Sequence, residues 1–188
     1  MKSIIAVSAL VAMVAAQLEP PAGPFTAGAW NPSNRWTGVA INASGRGFWI
    51  GKDSSSYCPV VKGLDCTAFP GTSTVFAGGS GTLSLDVAVP GGQQVFVGPD
   101  GALGYTGAHS ASIPVGAVTT GFLRFQSVAG GAPVPMTFEG SGFRACPVDE
   151  TQENVYQVFA SAVGTDPGNC IQFQLRTYSA PGISAWQY

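Results

Sequence analysis

Six residues near the end of the chain alternate strictly. Ile171, Phe173 and Leu175 are apolar, and Gln172, Gln174 and Arg176 between them are polar. A period of two with one wet face is the pattern of a half-buried strand, since a helix would return to the same face only every third or fourth residue. The surrounding stretch, 142–177, also holds Cys146 and Cys170 on either side of a connection. A bond between them would close a loop of about 25 residues, worth roughly 3–4 kcal/mol in the chain-entropy account. A stapled, alternating strand pair therefore sets the expectation for the whole chain.

The pattern recurs upstream. Leu83, Leu85, Val87 and Val89 alternate with Thr82, Ser84 and Asp86, and Pro90-Gly91-Gly92 turns the chain into a second strand at 93–97. Pro99-Asp100-Gly101 turns it again into a third at 102–106, giving an antiparallel meander. Segments 36–42 and 46–51 read as a hairpin around a three-residue turn, Ala43-Ser44-Gly45. Further short strands are expected at 122–126, 133–139 and 143–146. Segment 155–163 also fits helical spacing through Val155, Val158 or Phe159, and Ala162, with Asp149 and Thr151 available as caps. Its Val, Tyr and Phe content, within a repeat of strands, favours a strand. About eleven short strands spaced by Gly/Pro turns predict an all-β fold: a single antiparallel β-sandwich or closed β-barrel with two disulfides. A β-trefoil is the alternative, and the lack of a visible threefold repeat counts against it.

The ends divide from this domain. Residues 1–16 carry Lys2, a short apolar run and small residues at Val14 and Ala16, the layout of a secretory signal peptide. The run falls well below the roughly 20 residues of a spanning helix. Segment 17–34 holds four prolines and two glycines without periodicity and reads as an extended N-terminal arm. A single β domain is expected over 35–177, and an irregular tail over 178–188 with no hydrophobic end of the kind that precedes a lipid anchor.

Export implies an oxidising compartment, where four cysteines suggest two bridges. Proximity favours Cys58–Cys66 and Cys146–Cys170. Zinc is disfavoured, because the spacings lack a paired C-x-x-C and His109 is the single histidine. Without the signal segment, seven basic residues face ten acidic ones, a net charge of about −3. That excludes the basic footprint of a nucleic-acid binder. Charged residues are only 10% of the chain, while Gly numbers 26 and Pro 14, a surface suited to a polar matrix.

The motifs GFRACP, VYQVFA and NCIQFQL, together with WTGVAINASGRGFWIG and TLSLDVAVPGGQQVFVGPDGALGYTG, resemble the fungal PhiA-type cell-wall proteins, a group labelled IgE-binding or antigenic cell-wall proteins. These pieces occur in the same order and cover most of the mature chain. The resemblance implies a secreted, cell-wall-associated structural protein linked to conidium and phialide development. It brings no catalytic residues, and departs at Gly98-Pro99-Asp100-Gly101 and in lacking a cysteine near the mature N-terminus.

Little in the chain suggests catalysis. His109 lies between Ala108 and Ser110 in a polar loop, Gly140-Ser141-Gly142 reads as a turn and not a nucleophile elbow, and Asp86 with Glu139 is the one carboxylate pair to weigh for glycoside hydrolysis. The expectation is a non-enzyme without cofactor or metal. Glycan binding is the better alternative, with Trp49, Tyr105 and Trp186 as candidate sugar-facing rings, because Trp49 and Phe48 are adjacent in a strand and must face opposite ways. Asn42-Ala43-Ser44 is a glycosylation sequon. The partners expected are wall polysaccharide or matrix proteins, with no nucleic acid and no membrane anchor. A secreted effector or allergen is the remaining class.

Overall fold

The computed structural model describes residues 21–34, 36–125, 133–148, 152–166 and 168–188; the expected signal segment, 1–16, lies outside them. Among the described residues twelve strands follow in order. They are β1 (Phe25–Asn31), β2 (Trp36–Ser44), β3 (Gly47–Ile50), β4 (Phe76–Gly78), β5 (Ser80–Leu85) and β6 (Gln93–Val97). The second half supplies β7 (Leu103–Tyr105), β8 (Thr120–Arg124), β9 (Val134–Phe138), β10 (Phe143–Pro147), β11 (Tyr156–Ala160) and β12 (Ile171–Ser179). No described segment forms an α-helix, and within 155–163 the strand β11 takes up Tyr156–Ala160, with a turn after it.

The pairings close on themselves. β1 pairs with β4, β4 with β5, β5 with β8, β8 with β9, β9 with β12, and β12 returns to β1, all antiparallel. The six strands left over form three hairpins, β2–β3, β6–β7 and β10–β11. Their inner strands meet: β3 pairs with β7 through Gly47 and Gly104, β11 pairs with β3, and Ala102 beside β7 bridges to Phe159 of β11. A six-stranded barrel capped by three mutually contacting hairpins is the plan of a β-trefoil. Closure leaves the barrel without an edge.

The repeat is invisible in the sequence because it belongs to the backbone. The hairpins fill the cap with different residues: Phe48 and Ile50, then Val95 and Tyr105, then Phe143 and Val158, all buried. The connections back to the barrel, 51–75, 106–119 and 161–170, also differ in length. One contiguous core joins cap and barrel. Phe25 stacks on Phe76 at 5.6 Å, Phe76 meets Phe48 at 5.4 Å, and Phe48 meets Tyr105 at 5.3 Å. Such ring pairs contribute about 0.5–1.5 kcal/mol each beyond the area they bury.

Three expectations are corrected. The N-terminal arm contains β1, whose Phe25, Ala27 and Ala29 point into the core. Its small residues serve close packing: a Cβ on Gly28 would come within 3.1 Å of the Gly38 backbone. The domain does not end at 177, since β12 runs to Ser179 and the irregular segment after it is hydrogen-bonded to distant loops. Tyr57 N donates to Gln187 O and Val89 N to Trp186 O, both at 2.9 Å. Gln93, 1% exposed, grips Tyr188 with both ends of its amide, Nε2 donating to Tyr188 O and Oε1 accepting from Tyr188 N, each at 2.7 Å. Finally, the first hairpin turns through Gly45 and Arg46, with φ of 58° and 70°, and not through Ala43-Ser44-Gly45. Two positive φ values match the right-handed twist of the flanking strands.

Both disulfides form as expected, Cys58–Cys66 and Cys146–Cys170. The second fastens one end of the 161–170 connection. Arg144, 3% exposed, fastens the other, donating from Nη2 to Val163 O at 3.0 Å and Thr165 O at 3.3 Å. The disulfides span 24 and 8 residues of sequence. Replacing Cys146 and Cys170 by alanine is therefore expected to cost about 3–4 kcal/mol, and replacing Cys58 and Cys66 about 2–3 kcal/mol. Urea midpoints at unchanged slope give both values; the reverse order would contradict this account.

Candidate functional site

The three sequence-selected rings are not brought together. Tyr105 is 1% exposed and cannot face a sugar. All three residues of β7 are buried, because this short strand lies between β6 and β3. The Tyr105 hydroxyl accepts from Arg46 N at 3.2 Å. Trp186 is half-buried in the C-terminal segment, edge-on to Phe69 at 5.7 Å. Trp49 is half-buried on the cap, its indole N–H donating to Ser44 O at 2.7 Å. Asn42 lies on β2 and not in the turn, half-buried, with Nδ2 donating to Lys52 O at 2.9 Å.

Register shows what surrounds Trp49. Phe48 and Ile50 face the core, so Trp49 stands on the outer face of the cap. Directly opposed residues share a face. One outer row is therefore Asn42, Trp49 and Gln157 across β2, β3 and β11. The neighbouring row is Ser44, Gly47, Gly104 and Phe96 across β2, β3, β7 and β6. Two glycines in this row make room for two rings. A Cβ on Gly47 would lie 3.2 Å from Trp49 Nε1, and one on Gly104 only 2.6 Å from Phe96 Cζ. Each ring thus lies across a glycine of its own or the next strand.

Beside Phe96 opens a hollow of about 410 Å³ lined by Arg46, Phe96, Asp100, Leu103, Pro114 and Gln157. Its wall combines an aromatic face with a guanidinium, a carboxylate and a carboxamide. Rings pack on apolar C–H faces, and planar polar groups reach paired hydroxyls. The set is suited to holding a polyhydroxylated ligand on an open surface. Sequence reasoning selected Trp49 but missed Phe96, which alternates with buried Val95 and Val97 in the QQVFV strand; that alternation was the available signal.

The residues weighed for catalysis lie elsewhere. His109 is exposed with φ of 56°, and Glu139 is exposed with φ of 48° in the β9–β10 turn, where Ser141 pairs back to Phe138. Asp86 borders a second hollow, about 540 Å³, lined mainly by Pro21, Gly23, Pro24, Ala77 and Ser80. Burial raises its carboxyl above the usual value. Near these segments Arg124, 5% exposed, donates from Nη1 to Pro21 O at 3.0 Å and lies 3.8 Å over the Phe25 ring. Among the described residues, Cys146, Asp166 and Cys170 cluster within 4.8 Å, but the disulfide removes both thiolates a metal would need.

The model of a family described as "PhiA-like secreted protein" matches residues 25–188. An "Uncharacterized secreted protein" of Arthroderma benhamiae is 37% identical over 158 residues, covering 80% of this chain and 77% of its own length. No solved structure matches.

Burial of Tyr105 leaves a spectroscopic trace. Loss of solvent raises its phenol above the ordinary 10.0, the Arg46 backbone and charge opposing, and burial likewise raises Tyr188. The folded state then keeps protons that the unfolded chain releases, so stability falls as pH rises above about 10. Absorbance titration should show Tyr105 and Tyr188 ionising late, together with unfolding. Ionisation of both before any unfolding would contradict the placement.

Proposed function

Because the chain belongs to the PhiA-like secreted protein family, we propose that it works outside the cell as a non-catalytic component of the fungal wall, holding wall polysaccharide against the cap. The observation that carries this reading is the outer cap face, where Phe96 lies across Gly104 beside Arg46, Asp100 and Gln157. An open hollow on a closed, cross-linked barrel suits holding a polymer segment, because the scaffold need not move to admit it. The low charge supports the same reading, since a weakly charged surface neither repels a neutral polymer nor collects counterions. The resemblance to cell-wall proteins extends this role to conidium and phialide development.

Insoluble β-glucan and chitin from isolated walls provide the test. Wild-type protein is expected to sediment with one of them and release no soluble sugar. Phe96→Ala should weaken retention about tenfold, the scale of one lost aromatic contact. Gly104→Ala should do the same, because the added methyl displaces the Phe96 ring. His109→Ala, in an exposed loop, should bind as wild type. Release of sugars would overturn the non-catalytic part. Equal retention of Phe96→Ala and wild type would overturn the site.

A further inference from the structure

Asn42 and Trp49 are direct register partners on the outer cap face, which sets their Cβ atoms about 5 Å apart. Neither is core: both are half-buried beside fully buried Ile41, Ala43, Phe48 and Ile50. The Asn42 amide is held in place by its 2.9 Å bond from Nδ2 to Lys52 O. The ammonium of that same Lys52, an exposed residue, sits 4.7 Å from the centre of the Trp49 ring. The ring's pyrrole edge is anchored at Ser44 O and Gly47 lies against it. The aromatic face is thus fixed, with an exposed lysine head over it, next to the amide of the one open sequon found in the chain.

We infer that Asn42 carries an N-linked glycan and that its first sugar lies on the Trp49 ring in the place Lys52 occupies. In the attachment step the Asn42 amide nitrogen attacks C1 of an oligosaccharide borne on a lipid pyrophosphate. The N–C1 bond forms and the bond from C1 to the pyrophosphate oxygen breaks. The lipid pyrophosphate leaves with the electron pair, and one amide proton passes to a base of the transferase. The remaining N–H can keep its bond to Lys52 O. Ser44, the third sequon residue, is 5% exposed in the folded hairpin. Transfer therefore precedes closure of β2 on β3, during export of the chain.

This assignment is independent of wall binding. It gives the Trp49 half of the cap to the protein's own sugar and leaves the hollow at Phe96 for another chain. Glycosylation without polysaccharide retention would defeat the proposed function alone.

The test uses the full chain secreted from a eukaryotic host. Intact mass should fall on treatment with an N-glycan-cleaving amidase, and Asn42→Gln should abolish the loss. Wild type, Asn42→Gln, Trp49→Leu and the double variant are then melted. Asn42→Gln should lower Tm by about 2–4 °C in the wild-type background, as a modest contact does in a domain of this size, and by clearly less in the Trp49→Leu background, where only the bond to Lys52 O is lost. If Trp49→Leu does not fold, NMR of the glycosylated wild type decides: ring current from Trp49 should move the N-acetyl methyl of the first sugar upfield. No mass loss, equal Tm changes in both backgrounds, or an unshifted methyl would overturn the inference.

Discussion

The pairing of the first strand with the last is what the remaining structure depends on. Six residues of β1, Phe25 to Trp30, register against Ser179 to Gln174 of β12, and Arg176 lies 3.9 Å over the Trp30 ring to hold the seam. Without that seam the barrel would expose two open edges, each an invitation to pair with another chain. It also carries a large loop-closure cost, because its partners lie at opposite ends of the sequence. The cap then rests on the closed barrel through the ring series Phe25, Phe76, Phe48 and Tyr105.

Fasteners are concentrated where the barrel and cap cannot hold the chain themselves. The connection at 161–170 has a disulfide at one end and the buried Arg144 at the other; the lead-in at 21–24 is held by Arg124. In both cases a guanidinium binds backbone carbonyls, satisfying groups that irregular chain would otherwise leave without partners. Neither arginine has a described partner for Nε, so removing the carbonyls it does bind would strand a buried cation. The 161–170 connection matters to the cap, since it follows β11, which carries Gln157, and its Gly164 packs closely against the Asp100 backbone.

The candidate site is a consequence of glycine in a crowded sheet. Where β3 meets β7, Gly47 and Gly104 face each other, and no other residue type would leave the outer surface low enough for Trp49 and Phe96 to lie down. A ring so placed keeps one face for the protein and one for a ligand. The same device separates the two parts of the cap: the Trp49 ring belongs with Asn42 and Lys52, the Phe96 ring with Arg46 and Asp100.

The sequence by itself determined what depends on near neighbours. Alternation marked β5, β6 and β12, punctuation by Gly and Pro marked their turns, and spacing in an exported chain marked the two bridges. Each follows from steric periodicity or from short-loop closure, which act within a few residues. It misread β1 and the C-terminal segment, because small residues and prolines look like linker until the strand across from them is known; Gly28 against Gly38 and Gln93 against Tyr188 are the cases in point. Tyr105 was misplaced for the same reason. A three-residue strand has no alternation of its own to read, and only the packing of β6 and β3 on either side put its ring inside. Barrel closure, the threefold cap and the pairing of Phe96 with Gly104 were decided by tertiary structure, since cross-strand register joins residues that chain order keeps apart.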